Sequence, residues 1–147
     1  MKDVLILPYP PSTNRYWRHT VNRSGQPVIY LTQDGKEYKT IVGWMALKSG
    51  YTQPYAEEVI LYLDVYRPRQ VGDLDNRIKI LMDALQGFCY ENDSQVVEIH
   101  ARRFEDKTDP RAEVRVTPAH LDPLPAHIEK AVREAGWMPG GIAKDLG

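Results

Sequence analysis

A single cysteine, Cys89, stands in the whole chain. That excludes an internal disulfide and any zinc centre built on cysteine. A lone thiol of this kind reads as a small core residue rather than a nucleophile. Long hydrophobic runs are missing as well. The apolar stretches are a few residues each, too short to cross a bilayer. The N-terminal run Val4-Leu5-Ile6-Leu7 stops at Pro8, short of the core of a secretory signal. There is no glycine-rich phosphate loop, no internal repeat and no low-complexity tract. Nor is there a dominant charge: 19 basic against 20 acidic residues leave a formal −1. These absences point to a reducing, cytoplasmic setting and one domain. A chain of 147 residues with 42% hydrophobic content can bury a single core.

The charge is uneven along the chain. Residues 1–50 hold seven Lys/Arg against three acids, and residues 51–117 hold nine against thirteen. If several of the central acids ligate a cation, the surface that a phosphate meets is more positive than the formula suggests.

The hydrophobic pattern predicts a strand over Val4–Leu7 closed by Pro8-Tyr9-Pro10-Pro11, because prolines end ladder pairing. A polar loop follows from Ser12 to Gln26, with Arg15, Arg18, His19 and Arg23 interleaved with Tyr16 and Trp17. A short strand over Val28–Leu31 leads to Thr32, which can cap a helix running to about Ser49. Tyr38, Ile41, Val42, Met45 and Ala46 form the apolar stripe of that helix. Val59–Tyr66 reads as a strand apolar on both faces, hence central or covered. Arg67–Gly72 reads as a loop, and a helix follows from about Asp75 to Gln86. Strands over Val96–Phe104 and Ala112–Val116 flank a turn at 106–110. A short helix over about Pro125–Ala135 precedes a glycine-containing tail at Pro139-Gly140-Gly141. This order implies an α+β fold: one mixed sheet with helices packed on it.

The densest chemistry lies in Asp73-Leu74-Asp75-Asn76-Arg77-Ile78-Lys79-Ile80-Leu81-Met82-Asp83. At 100° per residue, Leu74, Ile78, Leu81 and Leu85 share a stripe suited to the sheet. Asp75, Lys79 and Asp83 fall beside it, one turn apart. Asp73 and Asp75 occupy the helix start, where free N–H groups and the dipole favour anions. Hard oxygen ligands without His or Cys suit magnesium or manganese rather than zinc. Such an ion would polarise a phosphate and acidify a bound water, with Lys79 offsetting developing charge. The plain alternative for Lys79 is an i,i+4 salt bridge to Asp75 or Asp83. For Asp75 it is an ordinary N-cap. Further acids follow at Glu91-Asn92-Asp93. Asp93 reaches Asp73 and Asp75 only if the chain doubles straight back along the helix; otherwise it joins from a second subunit or serves another site.

Three ordered blocks carry a family resemblance. Pro8-Tyr9-Pro10-Pro11-Ser12-Thr13-Asn14-Arg15-Tyr16-Trp17-Arg18-His19, then Asp73-Leu74-Asp75-Asn76 with Lys79 and Asp83-Ala84-Leu85, then Asn92-Asp93-Ser94-Gln95-Val96-Val97 together resemble the RusA family of Holliday junction resolvases. The resemblance covers residues 4 to about 117, making residues 1–117 the domain and 118–147 a C-terminal extension. It implies a homodimeric, magnesium-dependent endonuclease of the kind typical of phages and prophages. Such an enzyme cuts four-way DNA junctions by paired symmetric nicks. It places the catalytic roles on Asp73, Asp75, Lys79 and Asp93, with Asp73, Asp75 and Asp93 as metal ligands. One departure is Asn92, where the family often has a second aspartate: its carbonyl can ligate but brings no charge.

The same resemblance makes Asn14, Arg15, Tyr16, Trp17, Arg18, His19, Arg23, Arg67 and Arg69 candidates for DNA contact. The arginines would neutralise phosphates while Tyr16 and Trp17 stack on unpaired bases. The alternative for the two rings is to cover an edge of the core. A rival function is a branched-DNA-binding protein that does not cut. An enzyme on small phosphorylated substrates lacks support, for want of a phosphate loop.

Overall fold

Strand β4 (Val59–Arg67) organises the fold. Val59, Leu61, Leu63 and Val65 are fully buried on one of its faces. It pairs antiparallel with β6 (Arg111–Pro118) and parallel with β5 (Val96–Glu105), so it is a central strand, as its two apolar faces imply. β1 (Leu5–Pro8) completes the sheet antiparallel to β6, in the order β1-β6-β4-β5. Between β1 and β4 the chain forms α1 (Thr13–Tyr16), β2 (Trp17–Val21), β3 (Pro27–Leu31) and α2 (Gln33–Lys48). Parallel neighbours cannot be joined by a tight hairpin. The crossover from β4 to β5 is α3 (Leu74–Leu85), followed by a 3-10 turn at Asp93–Gln95. The computed structural model describes residues 2–70, 73–119 and 130–136 apart from 132. Most of the helix expected over Pro125–Ala135 and the tail at Pro139-Gly140-Gly141 lie outside the described residues.

The architecture of the described domain is therefore α+β, with helices α1, α2 and α3 packed about a mixed sheet. One core joins the buried face of the sheet to α2 and α3. Thr32 caps α2 as its sequence suggests, accepting from the Gly35 N–H at 3.0 Å. The inward row of α2 is Tyr38, Val42 and Ala46, while Ile41 lies exposed. In α3 the buried residues are Ile80, Leu81, Ala84 and Leu85. Leu74 and Ile78, expected in the central stripe, sit at its margin. α3 packs on α2 as well as on the sheet, and that turns its inward face toward Ile80 and Ala84.

The opposite face of the sheet is dressed by its own side chains. Tyr62 stacks on His100 and Tyr66 on Phe104, each pair with ring centroids 4.9 Å apart. Arg115 lies over Tyr62 and Arg111 over Tyr66. Arg102 grips Asp64 through two bonds of 2.8 Å. These cross-strand pairs give His100 a structural place.

The stretch 12–26 is not the loop that its polarity suggests. It holds α1 and the first strand of a separate two-stranded sheet, β2–β3. Trp17 and Leu31 rest against the core, but the rest of β2 is exposed, so no apolar alternation marks that strand. Its turn is built locally. The Asn22 Oδ1 accepts from the Ser24 and Gln26 N–H groups, and Gly25 takes a positive φ of 78°.

Gly35 marks where α2 meets α1: a Cβ there would collide with the Tyr16 backbone oxygen. Gly35→Ala should lower stability by about 1–3 kcal/mol through that overlap, despite the roughly 1 kcal/mol helix preference of alanine. The urea midpoint reports it; a rise would mean that α2 is not seated on α1.

Candidate active site on helix α3

The first turn of α3 presents two carboxylates with nothing else to do. Asp73 stands at the N-cap in an extended conformation (φ −85°, ψ 139°), yet its side chain makes no capping bond. Asp75 follows in the first turn. Both are exposed, and among the described residues neither forms an ion pair. The helix thus leaves both groups free beside its own unpaired N–H groups. Lys79 is exposed one turn on, and no ion pair among the described residues ties it to Asp75 or Asp83.

Asp83 is differently engaged. The Tyr16 hydroxyl donates to its Oδ2 at 2.6 Å. Burial raises the pKa of that hydroxyl, and the Asp83 carboxylate raises it further. Asp83 thus fastens α1 to α3 and stands apart from the free acids.

The far end of α3 is tied down by three bonds. The Lys39 ammonium donates to the Asp83 and Gln86 carbonyl oxygens at 2.6 and 3.0 Å, satisfying groups that a helix C-terminus leaves open. Burial pulls the Lys39 pKa down, and Asp83 opposes this. The Tyr90 hydroxyl donates to the Met82 carbonyl at 2.6 Å.

Asp93 belongs to this far end. Its N–H donates to the Gln86 Oε1 at 3.0 Å. The Asn92 Oδ1 accepts from the Ser94 N–H at 2.9 Å, and the Gln95 Oε1 accepts from the Asn92 N–H at 2.7 Å. This is a capping box, so Asn92 spends its carbonyl on the turn. Gln95 also donates to the Tyr55 and Glu57 carbonyls, pinning the turn to the body of the protein. The Asp93 carboxylate is left exposed.

Twelve residues of helix separate the two ends, about 18 Å. The chain does not double back along α3. Within one chain, Asp73 and Asp75 lie together and Asp93 lies apart. No group of three His, Cys, Asp or Glu among the described residues could hold a metal.

The candidate DNA contacts divide sharply. Arg18 and His19 project from β2, and Arg23 from its turn, all exposed; Asn14 and Arg69 are exposed as well. Arg15 is exposed but paired with Asp34 at 3.0 Å. Tyr16 is the correction: it is fully buried with its hydroxyl spent on Asp83, so it offers no ring to a base. Trp17 meets it edge-on, with centroids 4.7 Å apart, and stays half exposed. Arg67 is the second correction: it is 8% exposed and bonded to Glu105 at 3.0 Å, which takes it out of reach of a backbone phosphate.

Two residues near α3 escaped the sequence reading. Arg77 donates to the Pro10 carbonyl at 2.9 Å and lies over the Tyr9 ring, clamping the proline-rich segment to the start of α3. Lys39 is the other. A proline run has few N–H groups and many open carbonyls, which calls for an external donor. Which donor answers is decided by packing.

Free acids at a helix start, a lysine one turn on and an exposed basic hairpin set charged groups of both signs on the surface of one domain. The family model for the endodeoxyribonuclease RusA matches residues 8–117, and the chain belongs to that family. It is similar to the crossover junction endodeoxyribonuclease of Enterobacteria phage 82, 31% identical over 116 residues covering 77% of this chain and 92% of that one. The counterpart from Escherichia coli K12 is 30% identical over the same shares. That of Enterobacteria phage HK97 is 33% identical over 76% of this chain and 91% of its own.

Tyr16→Phe removes the bond to Asp83 while keeping the buried ring. It should cost about 1.5–3 kcal/mol, the range for a hydrogen bond to a charged group. Thermal denaturation measures it; an unchanged midpoint would show that solvent already satisfies Asp83.

Proposed function

We propose that the chain is a magnesium-dependent endonuclease that resolves Holliday junctions by paired symmetric nicks. It works as a homodimer whose active sites are each shared between protomers, and it serves DNA recombination and repair in the cytoplasm. The observation that carries this reading is the placement of free carboxylates at both ends of α3 in a RusA-family chain. An antiparallel two-fold pairing of α3 helices would set Asp73 and Asp75 of one protomer beside Asp93 of the partner subunit. The exposed apolar Val97 and Ile99, on edge strand β5 next to Asp93, offer a partner surface to bury there. A two-fold enzyme also matches a substrate in which two strands are cut symmetrically.

The donor set fits the ion: three carboxylates with no nitrogen or sulfur suit magnesium, with manganese as a substitute. When bound, magnesium supplies a Lewis acid that withdraws charge from the phosphate and acidifies the attacking water. Asp73 and Asp75 hold it from one protomer and Asp93 from the other. Lys79 stands where it can offset charge that develops on the scissile phosphate. Arg18, His19, Arg23 and Arg69 neutralise backbone phosphates. Asn14 lies alongside them, and stacking on an unpaired base falls to Trp17 alone. Junction shape supplies much of the selectivity, since phosphate contacts position without reading sequence.

One fact favours a second reading, a junction-binding protein that does not cut: a single chain assembles no three-acid group among the described residues. Subunit mixing separates the two. Asp75→Asn and Asp93→Asn should each be inactive alone on a labelled four-way junction with magnesium, yet still bind it. Mixed heterodimers retain one site with all its acids and should recover single nicks. No recovery would refute the shared site, and an unmixed wild type that binds without nicking would favour the non-catalytic reading.

Arg18→Ala tests the hairpin. Junction affinity should fall, and the slope of log K against log salt should flatten by about 1. An unaltered slope would leave Arg18 pointing only at solvent.

A further inference from the structure

An apolar groove runs along α2 to the Gly87–Phe88 corner that follows the C-terminal end of α3. It has a volume of about 360 Å³ and is walled by Gly43, Trp44, Leu47, Tyr51, Pro54 and Phe88. Phe88 packs so closely on Gly43 that a Cβ there would meet the ring at 2.6 Å, so the glycine forms the floor. Trp44 is 69% exposed and Leu47 52% exposed. Large apolar side chains clustered at this exposure mark a surface meant to be covered.

The end of the domain lies against this groove. The Tyr51 hydroxyl donates to the Val116 carbonyl at 3.3 Å and accepts from the Val116 N–H at 3.0 Å, so a groove wall is bonded directly to β6. Beyond β6, the Ala119 N–H donates to the Glu58 carbonyl at 2.9 Å, close in sequence to the groove residue Pro54. The family match ends at residue 117, so residues 118–147 are additional to the shared domain. Residues 120–129 alone can span about 33 Å when extended. The extension carries Leu121 and Leu124 on a proline-bearing stretch with Pro123 and Pro125, and beyond it Ile128 and Val132 at a four-residue step. On the other side from that pair, Lys130 and Glu134 form an exposed i,i+4 pair at 4.0 Å. Ala131 and Ala135, next to the apolar pair, are exposed.

We infer that the C-terminal extension docks in this groove, its residues Leu121, Leu124, Ile128 and Val132 covering Trp44, Leu47 and Phe88 of the same chain. Tethering favours the extension over a free partner, because it is held at high effective concentration beside the groove. The docked extension fastens α2 to the Gly87–Phe88 corner, a few residues from Asp93. The inference is independent of the nuclease reading.

The test uses the full-length chain with a photoreactive p-benzoylphenylalanine in place of Leu47, an exposed position that tolerates it. After irradiation, mass spectrometry should find intrachain crosslinks to residues 121–138. Crosslinks between two copies would overturn the inference in favour of a dimer contact; crosslinks to other segments, or none, would overturn it outright. In a chain without the probe, the double substitution Ile128→Glu and Val132→Glu should raise amide exchange several-fold across residues 43–51 and 87–89. Unchanged exchange there would show that the extension covers nothing.

Discussion

The parallel pairing of β4 with β5 is the constraint from which the rest follows. Parallel strands run the same way, so the chain must travel back the length of the sheet before the second can begin. α3 makes that return. Its start therefore lies past the C-terminal end of β4, and the turn after it lies before the N-terminal end of β5. Asp73 and Asp75 are on the first, Asp93 on the second, and the distance between them is set by the sheet. No rotamer change closes a gap of that size, so a single chain does not bring the three acids together.

Much of the protein's bonding serves to hold α3 still. Arg77 ties its first turns to Pro10, Tyr16 ties its third turn to α1 through Asp83, and Lys39 closes its last carbonyls from α2. The proline-rich N-terminal block and the acidic helix are thus one mechanical unit. Carboxylates that stand together without neutralising partners repel each other. A helix anchored at three levels can keep them in place where a loop would let them drift apart. The guanidinium nearest the free acids, that of Arg77, is spent on the Pro10 carbonyl.

Legibility differed by element, for identifiable reasons. β4 read correctly because a strand buried on one face and half covered on the other carries a strong pattern. Thr32 and α2 read correctly because capping is a local interaction. β3 read correctly as a short strand over Val28–Leu31, but its partner β2 was hidden, because every residue of it beyond Trp17 is exposed, which leaves no period to detect. Tyr16 looked like a DNA contact because it sits among arginines. Its neighbour Trp17 has the same surroundings in sequence and is half exposed, and only the packing of α1 on α3 separates them. Arg67 was misread likewise, since its partner Glu105 is thirty-eight residues away on the adjacent strand.

By itself, the order of residues determined which groups are available: three aspartates, a lysine one helical turn from the second, a basic stretch, and an asparagine where a fourth acid was conceivable. It also determined the α+β class, because alternation and helical period are written locally. The three-dimensional arrangement alone decided that Asp93 stands away from its two companions and that Tyr16 and Arg67 face inward. Those outcomes depend on strand direction and on long-range pairing, and neither leaves a mark on neighbouring residues.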